Sequence, residues 1–128
     1  MRIIDELFEL TDRVALVTGA SSGIGRAIAS ALASAGAAVV HAALKQEEDA
    51  LQEAVTHVER AGGKATYVTC DVSRFDKLPG VVENVSSVFG SPDILVNAAG
   101  VNLREPWDKV SEETWNKTIA INLTAPFF

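Results

Sequence analysis

The sequence predicts an α/β domain with a doubly wound parallel sheet. Strand-length apolar runs alternate along the chain with segments of helical period, the mark of repeated βαβ units. These runs are apolar on both faces or nearly so, as strands covered by helices on both sides must be. Of the 128 residues, 48% are hydrophobic but only 6% aromatic, so the core is expected to be Ala, Val, Ile and Leu packed at close range.

The N-terminal stretch MRIIDELFELTDR places Arg2, Asp5, Glu6 and Glu9 among its apolar residues, which excludes the uninterrupted apolar core of a signal peptide. The first strand is expected at Val14-Ala15-Leu16-Val17. The helix after it carries Ile24, Ala27, Ile28, Ala31, Leu32 and Ala35 at helical spacing and ends at Gly36, so this stripe is expected to pack on the sheet. A second strand runs from Ala38 to Ala43. Leu51, Ala54, Val55 and Val58 then repeat the helical pattern up to Gly62-Gly63. The third strand is Ala65 to Cys70. Ser73 and Asp76 suggest a capping box for a helix whose buried stripe is Leu78, Val81, Val82, Val85 and Phe89, with Pro79 near its start. Asp93 to Asn97 reads as the fourth strand, and Ser111 as the N-cap of a further helix with Glu112 and Glu113 near its positive end.

One contiguous core over residues 1–128 is expected, without repeats, linkers or low-complexity segments. The last residues, Ala125-Pro126-Phe127-Phe128, place two large apolar groups at the terminus, and a strand as apolar as Ile94-Leu95-Val96 needs a covered edge. The domain therefore reads as incomplete, truncated after the fourth strand and its following helix. A net charge of −6 provides no basic stripe for nucleic acid. No apolar run is long enough to span a bilayer, and no metal site is expected. The single cysteine, Cys70, cannot form an internal disulfide and reads as a small buried hydrophobe. A cytoplasmic location is expected.

The most informative segment is TGASSGIG, residues 18–25, between the first strand and the first sheet-packing helix. A strand that turns through glycines into a helix aims free N–H groups and the positive helix end at one point, where an anion binds. Gly19 would permit the tight turn, Gly23 would let backbone approach a pyrophosphate, and Gly25 would allow close helix-to-strand packing. Ser21 and Ser22 add hydroxyl donors. The same residues also satisfy G-x-S-x-G, the nucleophile elbow of serine hydrolases with Ser21 as nucleophile. That chemistry needs a later His as base. Only His41, inside a strand, and His57, on the charged side of a helix, are present, and neither is expected to reach Ser21.

TGASSGIG, Asp71-Val72 after the third strand, Asn97-Ala98-Ala99-Gly100 after the fourth, and Asn122 within Ile121-Asn122-Leu123 together resemble the short-chain dehydrogenase/reductase family of classical type, over its N-terminal half. The resemblance implies a Rossmann-type sheet and NAD(P) bound along Gly19, Ser21, Ser22, Gly23, Ile24 and Gly25. By the same resemblance Asp71 would accept a hydrogen bond from the adenine amine, with Val72 beside the ring. Asp71 is otherwise a turn acid. Asn97, Ala98, Ala99 and Gly100 would line the ribose side of the crevice, or form only a tight turn after a buried strand. A carboxylate at the end of the second strand binds the ribose 2′-hydroxyl and repels a 2′-phosphate. Here Ala43 and Leu44 hold that place and Lys45 follows, so NADP is expected over NAD, with Lys45 reaching the phosphate.

Reducing a carbonyl requires a proton donor near its oxygen, for which the family uses Tyr and Lys four residues apart with a preceding Ser. The sole tyrosine is Tyr67 in the third strand, and the residue four later is Asp71. The resemblance puts the missing three beyond Phe128 and leaves Asn122 as the one catalytic residue in this chain. Pro126 has no N–H for the Asn122 carbonyl, so that oxygen is free to hold a water of the family's proton relay, unless the proline merely kinks the helix. The full-length protein is thus expected to be an NADP-dependent oxidoreductase of a secondary alcohol or ketone, of sugar-acid, polyol or 3-oxoacyl type. Residues Asn102 to Trp107 resemble the loop of sugar-acid or polyol dehydrogenases. The alternative is a non-catalytic dinucleotide-binding module or sensor. Trp115 and Ile119, one helical turn apart, are either core or part of a face through which the full-length form assembles as a homodimer or homotetramer.

Overall fold

The computed structural model describes residues 3–128; Met1 and Arg2 lie outside the described residues. Helix α1 (Ile3–Phe8) precedes β1 (Val14–Thr18), α2 (Gly23–Ser34), β2 (Ala38–Ala43), α3 (Glu48–Arg60), β3 (Lys64–Thr69), α4 (Leu78–Phe89), β4 (Ile94–Asn97) and α5 (Glu112–Ile119). After α5 the chain continues through a π-helical turn, Ala120–Thr124, into a final short helix, α6 (Ala125–Phe127).

The four strands form one parallel sheet in the order β3-β2-β1-β4. The chain winds outward from β1 to β3 and then returns to place β4 on the other side of β1. This reversal opens a crevice beyond the carboxyl ends of β1 and β4, where ligands of such sheets bind. Register brings Thr18 opposite Ala42 on one side and Asn97 on the other, so the glycine turn starts at the centre of that edge.

Both faces are covered. On one, Ala15, Val17 and Val39 pack against Ala29 and Ala33 of α2 and Val55 and Val58 of α3. On the other, Leu16, Val40 and Ala42 pack against Val85 of α4, with Val81 and Phe89 partly buried beside them. The four expected strands form within a residue of their sequence bounds, and Leu51, Ala54, Val55 and Val58 are all buried. Strand β4 is an edge strand, and Leu95 on it is 57% exposed. Among the described residues, no helix is long and apolar enough to cross a membrane.

Three expectations are corrected. The buried face of α2 is Gly25, Ala29 and Ala33; of the expected stripe Leu32 packs partly buried against the core, whereas Ile24 is 77% exposed and Ala27 and Ala31 face outward. Helix α2 lies so close to β1 that only residues without a long side chain fit between them. Ser73 and Asp76 form no capping box. Instead, Oδ1 of Asp71 accepts from the Ser73 N–H at 3.0 Å and the Ser73 hydroxyl at 2.6 Å, and α4 starts later, with Pro79 in its first turn, where no N–H is needed. Val82 is half exposed rather than buried and lines an apolar groove running to Phe128.

Candidate functional site

The site is assembled where β1 turns into α2. Gly19 has φ +64°, and a Cβ there would stand 2.7 Å from the Ala99 nitrogen and 2.8 Å from the Ala98 carbonyl. The turn therefore sits directly against the backbone that follows β4. A Cβ at Gly25 would lie 2.2 Å from the Gly19 oxygen, so the helix begins pressed into its own turn. Gly23 is the opposite case, since a Cβ there would meet no protein atom within 4 Å. Ser22, the N-cap of α2, makes no side-chain bond to the helix, which leaves the first-turn N–H groups available to an anion.

Thr18 ties this turn to β4. Its hydroxyl is 3.3 Å from the Val96 carbonyl and accepts the Ala99 N–H at 3.2 Å. Sequence reasoning treated Thr18 only as the first letter of the turn, yet it sets the spacing across the crevice. On the far side, Oδ1 of Asn122 accepts the Val101 N–H and Nδ2 donates to the Val101 carbonyl, each at 2.8 Å. The loop after β4 is thereby held from both ends. Asn122 lies within the π-helical turn, where the Ala125 N–H bonds the Ala120 carbonyl. The irregularity ahead of Pro126 is thus a π-turn, a feature frequent at functional sites.

A cleft of about 330 Å³ lies between these parts. Gly19, Ser21, Ser22, Ile24 and Gly25 form one wall, Asp71 and Val72 the second, and Ala98, Ala99 and Gly100 the third. Gly23 is bracketed by Ser22 and Ile24. The remaining expected residues stand apart from this cleft. Lys45 borders an adjoining recess with Asp71, Ser73 and Lys117. Asn97 faces the apolar groove beside Leu95. Asn122 braces the loop through Val101.

The polar groups are already partnered in specific ways. Ser21 is buried and donates its hydroxyl to Oε1 of Glu47 at 2.8 Å, a residue that sequence reasoning did not single out. Lys45 is ion-paired with Glu48, whose Oε1 lies 3.3 Å from the Tyr67 hydroxyl. The pairing holds Lys45 above its ordinary pKa and Glu48 below its own. Glu105, also missed, accepts from Ser111 N–H and the Thr114 hydroxyl, both at 2.9 Å, and fixes the Asn102–Trp107 loop to α5. Ser111 caps α5 as expected, accepting from Thr114 N–H at 3.1 Å.

Neither histidine approaches Ser21 in a hydrogen bond. His41 is fully buried in β2 with no hydrogen-bond partner on either ring nitrogen among the described residues. Burial pushes its pKa down, with nearby backbone at Thr66 and Val39 offsetting part of that. His57 is exposed on α3. Ser21 has a carboxylate, not an imidazole, as its partner, so the hydrolase arrangement does not form. Burial likewise raises the Cys70 thiol, which disfavours the reactive thiolate.

Comparison with known proteins agrees with this geometry. The family model described as short chain dehydrogenase matches residues 13–128. A D-threitol dehydrogenase of Mycolicibacterium smegmatis is 40% identical over 124 residues, spanning 97% of this chain and 47% of that protein. A NAD-dependent glycerol dehydrogenase of Listeria innocua is 36% identical over 123 residues, spanning 96% and 46%. Among solved structures, a blue fluorescent protein from a metagenomic library in complex with NADPH has a TM-score of 0.85 at 32% identity, over 93% of this chain and 49% of that one. The chain spans about half the length of the curated relatives it matches. It belongs to the short chain dehydrogenase family.

Proposed function

We propose that residues 1–128 are the NAD(P)-binding part of an oxidoreductase that transfers hydride between a nicotinamide cofactor and a secondary alcohol or ketone. The observation that carries this reading is the open space at Gly23 beside the uncapped start of α2. A backbone cradle without a Cβ, next to free N–H groups, fits a pyrophosphate. The other cleft walls fit the rest of a dinucleotide. Asp71, with Oδ1 held by Ser73, would accept from an adenine amine, and Val72 would flank the ring. The backbone from Asn97 to Gly100 borders the ribose side.

NADP is the favoured cofactor in this reading, supported by the absence of an acid at Ala43 and by Lys45 in the adjoining recess. Lys45 must leave Glu48 to meet a 2′-phosphate. When bound, the nicotinamide supplies the hydride donor or acceptor. The chain's own contribution to proton movement would be a water held at the Asn122 carbonyl, which Pro126 leaves without a helical N–H. A polyol or a related sugar derivative is the substrate class supported by the threitol and glycerol relatives. The face of α5 bearing Trp115, 62% exposed, is the surface through which a homodimer or homotetramer would form, and a cytoplasmic location completes the reading.

The test is a turnover assay of the full-length protein with NADP or NAD and a panel of polyols, sugar acids and 3-oxoacyl compounds, followed by nicotinamide absorbance. Hydride transfer faster with NADP than with NAD is expected. Cofactor binding without turnover on any alcohol or ketone would replace the enzyme by a nucleotide-binding module.

A further inference from the structure

Among the described residues, His41 is the one side chain with buried polar atoms that lack a hydrogen-bond partner, and both of its ring nitrogens lack one. It is wholly buried. Side chains alternate along a strand, so His41 shares with Val39 the face of β2 that α2 and α3 cover. In register beside it stand Val17 of β1 and Tyr67 of β3.

The charged and titratable groups around this position are committed elsewhere. From α2, Arg26 opposes a charge on the imidazole, and its guanidinium pairs with Glu53 of α3 at 3.3 Å. Glu48 of α3 holds Lys45 and stands 3.3 Å from the Tyr67 hydroxyl. Glu47, just before α3, accepts from Ser21. The buried residues of α3 are Leu51, Ala54, Val55 and Val58, all apolar. An imidazolium here has no carboxylate to meet and a like charge nearby, a costly state unless water reaches it. Hydrating it requires α2 or α3 to part from β2. The start of α2 is the glycine turn itself. Ala20, also buried, donates its N–H to the Ala42 carbonyl at 3.1 Å, one residue from His41, and the Arg26 N–H closes the first turn on Ser22 at 3.3 Å.

We infer that His41 makes the cleft acid-sensitive: the neutral imidazole keeps α2 seated on β2 and the glycine turn in its binding geometry, whereas protonation lifts the start of α2 and expels the dinucleotide. The inference rests on the dinucleotide reading proposed above. Linkage makes the effect reciprocal, since the proton weakens the ligand and the ligand makes His41 harder to protonate by the same factor. Direct attraction between an imidazolium and a pyrophosphate would act in the opposite sense, so the sign of the pH dependence separates the two.

The experiment is a calorimetric titration of the full-length protein with ADP-ribose, a pyrophosphate diester, at intervals from pH 8 to pH 5.5, with circular dichroism at each pH to confine the comparison to folded protein. Wild type is compared with His41→Leu and His41→Gln, which do not titrate at this position; every other titrating group, His57 included, is common to the three. The wild-type Kd should rise toward pH 5.5 by at least about fivefold more than that of either variant, the lower end of a typical coupling between two sites. A second measurement needs no variant. Followed by NMR of carbon-labelled histidine, the His41 ring of wild type should take up its proton at lower pH with ADP-ribose bound than without. Equal pH dependence in wild type and variants, wild-type affinity that rises toward acid, or a His41 titration unmoved by ADP-ribose would each overturn the inference and leave the dinucleotide reading standing. Failure of ADP-ribose to bind wild type at pH 8 would overturn the dinucleotide reading and this inference with it.

Discussion

Adding one methyl group at Gly19 is expected to damage folding, whereas the same group at Gly23 is expected to damage binding. Both residues have positive φ, +64° and +56°, and an L side chain in that region costs about 1–2 kcal/mol. They differ in what the new Cβ would meet. At Gly19 it would stand 2.7–2.8 Å from the Ala98 and Ala99 backbone, closer than ordinary contact and against atoms that cannot rotate away. Relief requires moving the loop after β4, and overpacking of this kind adds about 1–3 kcal/mol. Gly19→Ala should therefore destabilise by about 2–5 kcal/mol, a large part of the 5–15 kcal/mol typical of a domain. Gly23→Ala meets no atom within 4 Å and should cost only the conformational part, about 1–2 kcal/mol. Its methyl group would instead enter the space that the dinucleotide reading assigns to the pyrophosphate, and on that reading NADPH affinity should fall by at least about tenfold, equivalent to 1.4 kcal/mol. Urea denaturation followed by circular dichroism, paired with a fluorescence titration of NADPH, reads both quantities in the full-length protein. Gly19→Ala no less stable than Gly23→Ala, or Gly23→Ala binding NADPH as tightly as wild type, would refute the reasoning.

Four further outcomes are expected. Burial of His41 lowers its folded pKa, so its neutral form is the stable one; its contribution is complete above about pH 6.5, the unfolded value, and declines as pH falls from there toward the folded pKa. The difference in melting temperature between pH 8 and pH 5.5 should shrink in His41→Leu relative to wild type, and an unchanged difference would show that His41 does not supply the pH dependence. Thr18→Val keeps the shape but leaves the Ala99 N–H without its acceptor. It should lose about 1–2 kcal/mol in urea denaturation and weaken NADPH binding, and no change in either would contradict the bridging role of Thr18. Asn122→Asp can still accept the Val101 N–H but turns an acceptor toward the Val101 carbonyl, replacing the 2.8 Å donation. A loss of about 1–3 kcal/mol is expected, and stability equal to wild type would argue against the brace. Residues 1–128 alone, whose only tyrosine is Tyr67 in β3, should show no hydride transfer in the turnover assay; measurable activity would disprove the proposal that these residues lack the proton donor.

The strands were readable because a parallel strand covered on both faces leaves a dense apolar run, and Val14–Thr18 and Ala38–Ala43 are such runs. The glycine turn was readable for a related reason, since each glycine answers a local demand of backbone geometry. Helix α2 misled because its larger apolar residues suggested a buried face, while contact with β1 selects the small residues Gly25, Ala29 and Ala33. Ser73 misled similarly. As a cap it needed only its own neighbours, but Asp71 two residues earlier takes its N–H and hydroxyl first. Helix α1 carries no pattern that distinguishes it from a charged tail, and Leu7 and Phe8 on it remain exposed. Glu47 and Glu105 were not legible at all. Their roles come from partners brought near by folding, Ser21 across 26 positions in the first case, and neither spacing nor composition marks an acid for such work.

Hydrogen exchange measured on the full-length protein with and without NADPH tests the central claim most directly, because it locates the ligand on the backbone. The dinucleotide reading predicts slowed exchange at the amides of Gly19–Gly25, Asp71–Val72 and Asn97–Gly100, with the outer turns of α3 unchanged. Saturating NADPH that protects only the apolar groove between α4 and Phe128, or protects no part of the glycine turn, would contradict it.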